Sequence, residues 1–560
     1  MPQLQPRRQH PLEIPEILSQ VAHFLPLWIH EESFVRPLLS FEPKTTMACL
    51  LVNKLWYATF SEILWYIYDG SFHERAPLEL VHRKCHLFRI FRSHRGHEGP
   101  YTGCVNLLEL YISQQSLSQW TNGLDLQCQM DLVRANHGLK ALYWHGPAQK
   151  ERAPLPLKSL TGFRNMQYLR LLAWDGSDGR LAKVLRSVAE TVTKVGLYSI
   201  MGVKPGDFLF EEEVDVDDNK DDEDEDDYGD KDNIDEDDDM DNGNKDGDEG
   251  EGKETETGEA LAKGKKKKKK KTAISPPSFW SSRQEFRTKQ LILPNLVNLG
   301  YRINNTESTG MEDLVMCCPN LYKLSIIPEY EAKFYDLPRL TRNIKDHCHK
   351  LRVLTAKYSS LQEQEYISLL DCCQPQGLVK LKLTMKNITV RTADAIIAHA
   401  QTLEVLELPG FLEPMPFLIL CRIMVACPNL RVAVFSGYAP GNRQKFLKEL
   451  WAQPWGCPKL KVFGISFEED ENDPDNQYFL DLERIPERED NVESIQDIMP
   501  GWYLHSQVDR YRDEKASKQN RLFVYAMLSK LKGMPNLEMV SWCGVKYERS
   551  PIQKYGFQSR

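Results

Sequence analysis

Apolar residues in this chain recur as L-x-x-L-x-L, with conservative substitutions, and the recurrence is regular enough to be architecture. The first positions are Leu107, Leu139, Met166, Val192, Leu296, Leu321, Leu351, Leu378, Leu403, Leu430, Leu460 and Leu537. From Leu321 to Leu460 the successive steps are 30, 27, 25, 27 and 30 residues, the period at which one strand plus one helix stacks on its next copy. Between copies the spacing becomes helical. Leu181, Val184, Leu185, Val188 and Val192 fall at i, i+3, i+4, i+7 and i+11, and Tyr366, Leu369, Leu370 and Cys373 repeat the opening of that pattern. Four copies share a lead-in, CPNL at Cys318 and Cys427, CPKL at Cys457 and CHKL at Cys348, which puts a small apolar thiol and a turn before the strand. The expected fold is an α/β solenoid, whose extended surface has few deep pockets and suits binding better than catalysis.

The cysteine-containing unit resembles the cysteine-containing leucine-rich repeats, over most of the span from Leu107 to Trp542. That resemblance implies a horseshoe. At the N-terminus, EILSQVAHFL places Ile17, Leu18, Val21, Phe24 and Leu25 on one helical face, and LLVNKLWYATF followed by ILW runs to Trp65. This resembles an F-box, in which a proline opens a first helix, a second helix carries L-V-C-x-x-W, and L-W closes the module. Here Pro15 or Pro11 stands at the opening, and Val21 and Phe24 stand for the family's Ile and Tyr. Leu51, Val52, Asn53 and Trp56 stand for L-V-C and W, with Leu64 and Trp65 at the close. The chain departs from the family in its link from Pro26 to Thr46, which is longer than the usual one.

The resemblance to an F-box and leucine-rich-repeat protein of the fungal type implies a substrate receptor. Pro15, Ile17, Leu18, Val21, Phe24, Leu25, Leu51, Val52 and Trp56 would contact a Skp-type adaptor and, through it, a cullin-RING ubiquitin ligase. The repeats would hold the protein target. The alternative is a leucine-rich-repeat scaffold outside any ligase, whose N-terminal helices only cap the open end of the solenoid.

Neither reading requires catalysis, and the sequence offers no catalytic, cofactor or metal motif. G-x-x-x-x-G-K-[ST] and G-x-S-x-G do not occur, and no G-x-G-x-x-G follows a strand pattern. His347-Cys348-His349 are adjacent and cannot easily converge on one tetrahedral ion. The 13 cysteines include no C-x-x-C and lie mostly in apolar runs, as reduced core residues do. No apolar run reaches the ~18 residues needed to span a bilayer, and Glu13 and Glu16 interrupt what would be a secretory signal. An intracellular protein of nucleus or cytoplasm is expected, with no membrane partner.

Charge is unevenly distributed. Glu211 to Thr272 carries 28 acidic and 12 basic residues, the latter including the run Lys265 to Lys271, and cannot bury enough apolar area to order itself. Without this tract the net charge changes from −9 to about +7. The lysine run resembles a nuclear import signal. Nucleic acid is the weaker reading, since the run lacks aromatic partners for stacking. The layout that follows is a disordered tail over 1–10, the F-box-like module over 11–68 and N-terminal repeats over 100–205. A disordered acidic then lysine-rich insertion occupies 211–275, central repeats 290–467, a charged insertion 468–519, and a last repeat or C-terminal cap 520–550.

In each copy the apolar positions point inward, so the third, fifth and seventh residues face the other way. This places Tyr111, Tyr143, His145, Tyr168, Arg170, Lys194, Tyr198, Arg302, Lys323, Lys357, Lys380 and Lys382 on the concave side. The expected substrate face is therefore basic with interleaved tyrosines, suited to an acidic or phosphorylated target.

Overall fold

The computed structural model of the chain describes residues 11–23, 28–31, 38–41, 43–73, 76–93, 103–112, 126–147, 152–209, 290–303, 310–328, 336–357, 361–385, 388–411, 417–438, 455–468, 502–504, 534, 536–542 and 545–549. The N-terminal tail, the acidic and lysine-rich insertion and most of the second insertion lie outside these residues, as do Phe24 and Leu25. Residues up to Phe210 and from Gln290 onward make one compact unit.

The fold is α/β. A short antiparallel pair, β1 (Trp28–Glu31) and β2 (Leu38–Phe41), occupies the long link between the first two helices. The remaining strands are β3 (Ile67–Asp69), β4 (Ile90–Ser93), β5 (Glu109–Ile112), β6 (Ala141–His145), β7 (Tyr168–Leu172), β8 (Lys194–Tyr198), β9 (Asn298–Ile303), β10 (Lys323–Pro328), β11 (Val353–Lys357), β12 (Lys380–Thr384), β13 (Val405–Phe411), β14 (Val432–Tyr438), β15 (Val462–Glu468), β16 (Trp502–Leu504), β17 (Met539–Trp542) and β18 (Val545–Arg549). They form one open sheet in the order β16-β18-β17-β15 and then stepwise down to β3. Fourteen of them, β3 to β15 and β17, run parallel, as a solenoid-like repeat of strand and return segment requires. β18 folds back antiparallel on β17, and β16 pairs antiparallel with β18, which ends the parallel run.

Each of the twelve leucine copies opens two residues before one of these strands. The first apolar residue is buried at the turn, and the fourth and sixth point into the core. Two strands, β3 and β4, were not among the expected copies. Their apolar positions are Trp65 and Tyr68, then Phe88 and Phe91, with Gly70 and Ser93 where the last leucine would stand. These aromatics stack at one end of the core, Tyr68 lying 5.1 Å from Phe88 and 5.0 Å from Phe91 between ring centroids.

The lead-in residues join one copy to the next. The thiol of Cys348 donates to Val315 O, and that of Cys457 donates to Met424 O at 2.6 Å. Side-chain amides make a parallel series, Asn320 donating to Pro294 O, Asn429 to Gln401 O and Asn536 to Pro458 O at 2.6–3.0 Å. Such bonds satisfy turn carbonyls that a strand ladder leaves open.

Strand pairing runs unbroken across both insertions. β8 pairs with β9 from Lys194↔Asn298 to Tyr198↔Arg302, and β15 with β17 from Val462↔Met539 to Ile465↔Trp542. At the neck of the first insertion Leu291 N donates to Phe208 O at 3.1 Å, and Phe208 is fully buried. Gly310, at φ +62°, lets this neck close, because a Cβ there would stand 2.3 Å from Lys204 O. Asp313 completes it by accepting from Gly206 N at 2.9 Å and from Arg339 at 2.7 Å.

At the N-terminus, helices α1 (Pro15–His23) and α2 (Pro43–Leu50) both pack on α3 (Lys54–Leu64). Asn53 caps α3 by accepting from Trp56 N at 3.0 Å. Leu18, Ala22 and Phe60 form a small core separate from the main one, which extends from Trp65 to Val540.

Candidate functional site

Two surfaces carry the residues expected to function, and the first is the helical module. Ile17 and Val21, one turn apart on α1, are exposed, as are Met47 on α2 and, four residues on, Leu51 just beyond its end. Leu51 is 84% exposed and the following Val52 56%. Exposed apolar side chains at this density are costly in water unless something covers them. Pro15 opens α1 and faces solvent. Leu18 does not join the exposed set. At 0% exposure it belongs to the module's own core, because it lies one position round the helix from Ile17 and so faces α3. Trp56 is half-buried, stacked on Phe60 at 5.4 Å and donating from Nε1 to Leu12 O, so it holds the module together. Met47 and Tyr57 are exposed without having been expected; helical spacing from Leu51 would have found the former.

The second surface is the open face of the sheet, where strand register lines up the third and fifth residues of successive copies. One row reads Arg92, Tyr111, Tyr143, Arg170, Gly196, Gly300, Ser325, Thr355, Lys382 and Glu407. A parallel row brings Tyr168, Lys194, Lys323 and Lys380 into line at every second strand from β8 onward. His145, Tyr198 and Arg302 lie in a third row, and Lys357 stands exposed at the end of β11.

The N-terminal half of this face is a stack of cations and rings. The Arg92 guanidinium lies 4.9 Å from the Tyr111 ring, and that of Arg170 is clamped between Tyr143 at 4.6 Å and Tyr198 at 4.4 Å. Gly196 makes the clamp feasible, since a Cβ there would stand 2.9 Å from the Tyr198 ring and 3.3 Å from Arg170 Cγ. Tyr111 donates its hydroxyl to Glu109 at 2.9 Å. Burial and the Glu109 carboxylate push the Tyr111 phenol well above its ordinary range.

The C-terminal half is lysine-rich but not uniformly basic. Lys380 donates to Glu407 Oε1 at 2.8 Å and Lys382 donates to Glu407 Oε2, so two of the expected cations are already paired. The sequence carried this information, because Glu407, like Glu109, occupies one of the outward positions of its copy. Lys194, Lys323 and Lys357 make no salt bridge among the described residues. Burial together with the charges of Lys380 and Lys194 lowers the Lys323 ammonium pKa, and burial together with Lys382 lowers that of Lys357.

Burial alone would raise the Glu407 carboxyl, but its bonds from Lys380 and Lys382 outweigh burial and hold it below the usual range. A carboxyl lowered on folding stabilises above its unfolded pKa, near 4.3 for glutamate, and loses that contribution as pH falls through the folded value. Glu407→Gln is therefore expected to cost about 1 kcal/mol near neutral pH, allowing for solvent around the lysines, and nothing at strongly acid pH. Urea unfolding of both proteins from pH 7 to 3 measures this, and a pH-independent difference would contradict it.

The cysteines are free thiols among the described residues. Burial pushes Cys317, Cys348, Cys427 and Cys457 up to about 12, which keeps them protonated. No group of three or more His, Cys, Asp or Glu among the described residues is placed to hold a metal ion. No helix among them is long and apolar enough to cross a membrane. No protein-family model matches the chain, and no curated protein matches it.

Proposed function

We propose that this chain is the substrate-recognition subunit of a Skp-cullin-F-box type ubiquitin ligase, acting in nucleus or cytoplasm. In this reading the three-helix module is an F-box that grips a Skp-type adaptor. The sheet with its covering helices is a leucine-rich-repeat horseshoe that presents a protein target on its open face. The chain itself performs no chemistry. It holds the target near an enzyme that carries ubiquitin.

The observation that carries the proposal is the exposure of Ile17, Val21, Met47, Leu51 and Val52 on a module with a core of its own. A helical cap whose only task was to shield the end of the solenoid would turn such side chains toward the repeats. Burying one Leu or Val fully gains roughly 1.5–3 kcal/mol, so a few of them suffice to anchor a partner.

The test is capture of a Skp-type adaptor by the full-length chain and by Val21→Asp/Leu51→Asp. Both positions are exposed, so the thermal melt should not change. Capture is expected to fall about 100-fold or more, since each charge placed in an apolar interface costs more than 1.4 kcal/mol. Adaptor absent from wild type and variant alike would leave the scaffold reading in its place.

A further inference from the structure

We infer that the open face takes an extended acidic segment of its target, laid across the strands, with carboxylates spaced about three residues apart over Lys323 and Lys194. This deepens the proposed function and rests on it only for the identity of the ligand as a ligase target.

The lysines form a series. Lys194 on β8, Lys323 on β10 and Lys380 on β12 share one register row, each two strands from the next. Neighbouring strands lie about 4.8 Å apart, so the lysines recur at about 10 Å. In the extended polyproline II conformation, with three residues per turn and a rise of about 3.1 Å per residue, every third side chain returns to the same side after about 9 Å.

The protein already fills one end of the series with a carboxylate of its own. Glu407, buried to 6% exposure on the strand beyond Lys380, takes one lysine on each of its oxygens. Lys323 and Lys194 repeat the cation of that arrangement, but the outward positions between them are Asn298 and Gly300, and neither supplies an acid. Half-buried Lys323 and exposed Lys194 are thus held in line, with the field of Lys380 added at Lys323 and no salt bridge to either among the described residues. A ligand carboxylate over each of them would relieve this repulsion in the way Glu407 relieves it for Lys380 and Lys382. One strand beyond Lys194 the segment would meet Arg170, whose guanidinium is fixed between Tyr143 and Tyr198 and so presents a rigid fork.

Carboxylate is favoured over phosphate because the group that already pairs with lysines of this face, Glu407, is a carboxylate. A peptide is favoured over nucleic acid by spacing. Phosphates along an extended single strand recur faster than 10 Å, and the rings that would stack with bases are themselves covered by Arg92 and Arg170.

The experiment measures fluorescence anisotropy of two labelled peptides of about twelve residues on the full-length chain at about 0.1 M salt. One carries glutamates at every third position in a Gly-Ser background; its isomer carries the same glutamates consecutively. The spaced peptide should bind about fivefold tighter or more. Lys194→Glu/Lys323→Glu should weaken it by about tenfold or more, and Glu407→Gln, which removes the carboxylate charge beside Lys380 and Lys382, should tighten it severalfold. Equal affinity of the isomers would overturn the inference, as would indifference to the double charge reversal. So would tighter binding of an oligothymidine of equal charge, or of the peptide with phosphoserine at every glutamate position. The readout needs no adaptor, so peptide binding that persists while adaptor capture fails would remove the ligase role and leave this site standing.

Discussion

Trp144→Ala is expected to lower the stability of the repeat unit by about 3–5 kcal/mol, the usual cost of deleting a fully buried indole. Trp144 is wholly inaccessible and lies edge-on to Trp174 at 5.0 Å. Its Nε1 donates to Gln129 at 2.9 Å, and its own carbonyl accepts from Trp174 Nε1 at 3.2 Å. The substitution therefore opens a cavity and removes a hydrogen bond between strand and helix, in a place where two neighbouring copies share one aromatic contact. In a stacked architecture each copy leans only on its neighbours, so the loss should appear first as early opening of residues 126–198. Trp144→Phe, which keeps most of the volume, should cost about 1–2 kcal/mol. Denaturant unfolding with hydrogen exchange measures both. Equal effects of the two substitutions would show that the cavity is not the dominant cost.

Asp313→Ala should be the second large effect, at about 3 kcal/mol. The Asp313 side chain is fully buried and accepts on one oxygen from both Arg339 and the backbone of Gly206. Removing one partner of a buried pair costs about 3–5 kcal/mol, and the low end applies because Arg339 keeps some solvent. The effect should be local. Protection of the amides from Gly206 to Leu209 should fall by more than that of β10 or β11, and protease should cut near Phe208 at lower concentration. Uniform loss of protection across the sheet would mean that Asp313 serves the whole stack rather than the neck.

The repeat was legible because each strand buries alternate residues, and leucine at three fixed positions leaves a period that survives substitution. It failed at β3 and β4 for a physical reason. β3 ends the sheet with β4 next to it, and there Trp65, Tyr68, Phe88 and Phe91 fill the core with stacked rings instead of leucines. Missing β4 also hid Arg92, the first cation of the stacked row. On the module, helical periodicity put Ile17, Leu18 and Val21 on one face, whereas Leu18 turns inward and Ile17 and Val21 outward, a division that depends on where α3 lies. On the open face, the outward positions of the repeat read as a basic face with interleaved tyrosines. The pairing of Lys380 and Lys382 with Glu407 depends on register between strands 25–27 residues apart, and attention to cations alone passed over the acid in their midst.

The unbroken pairing of β8 with β9 has a consequence for how this chain can vary. Because Phe208 O and Leu291 N meet within one hydrogen bond, the polypeptide leaves the ladder and re-enters it through the same doorway. Whatever is strung between those two points adds loop entropy that grows only with the logarithm of its length. The joint therefore behaves as a cassette site, where tracts can be lengthened, trimmed or exchanged for a folded passenger while the strands on either side keep their partners.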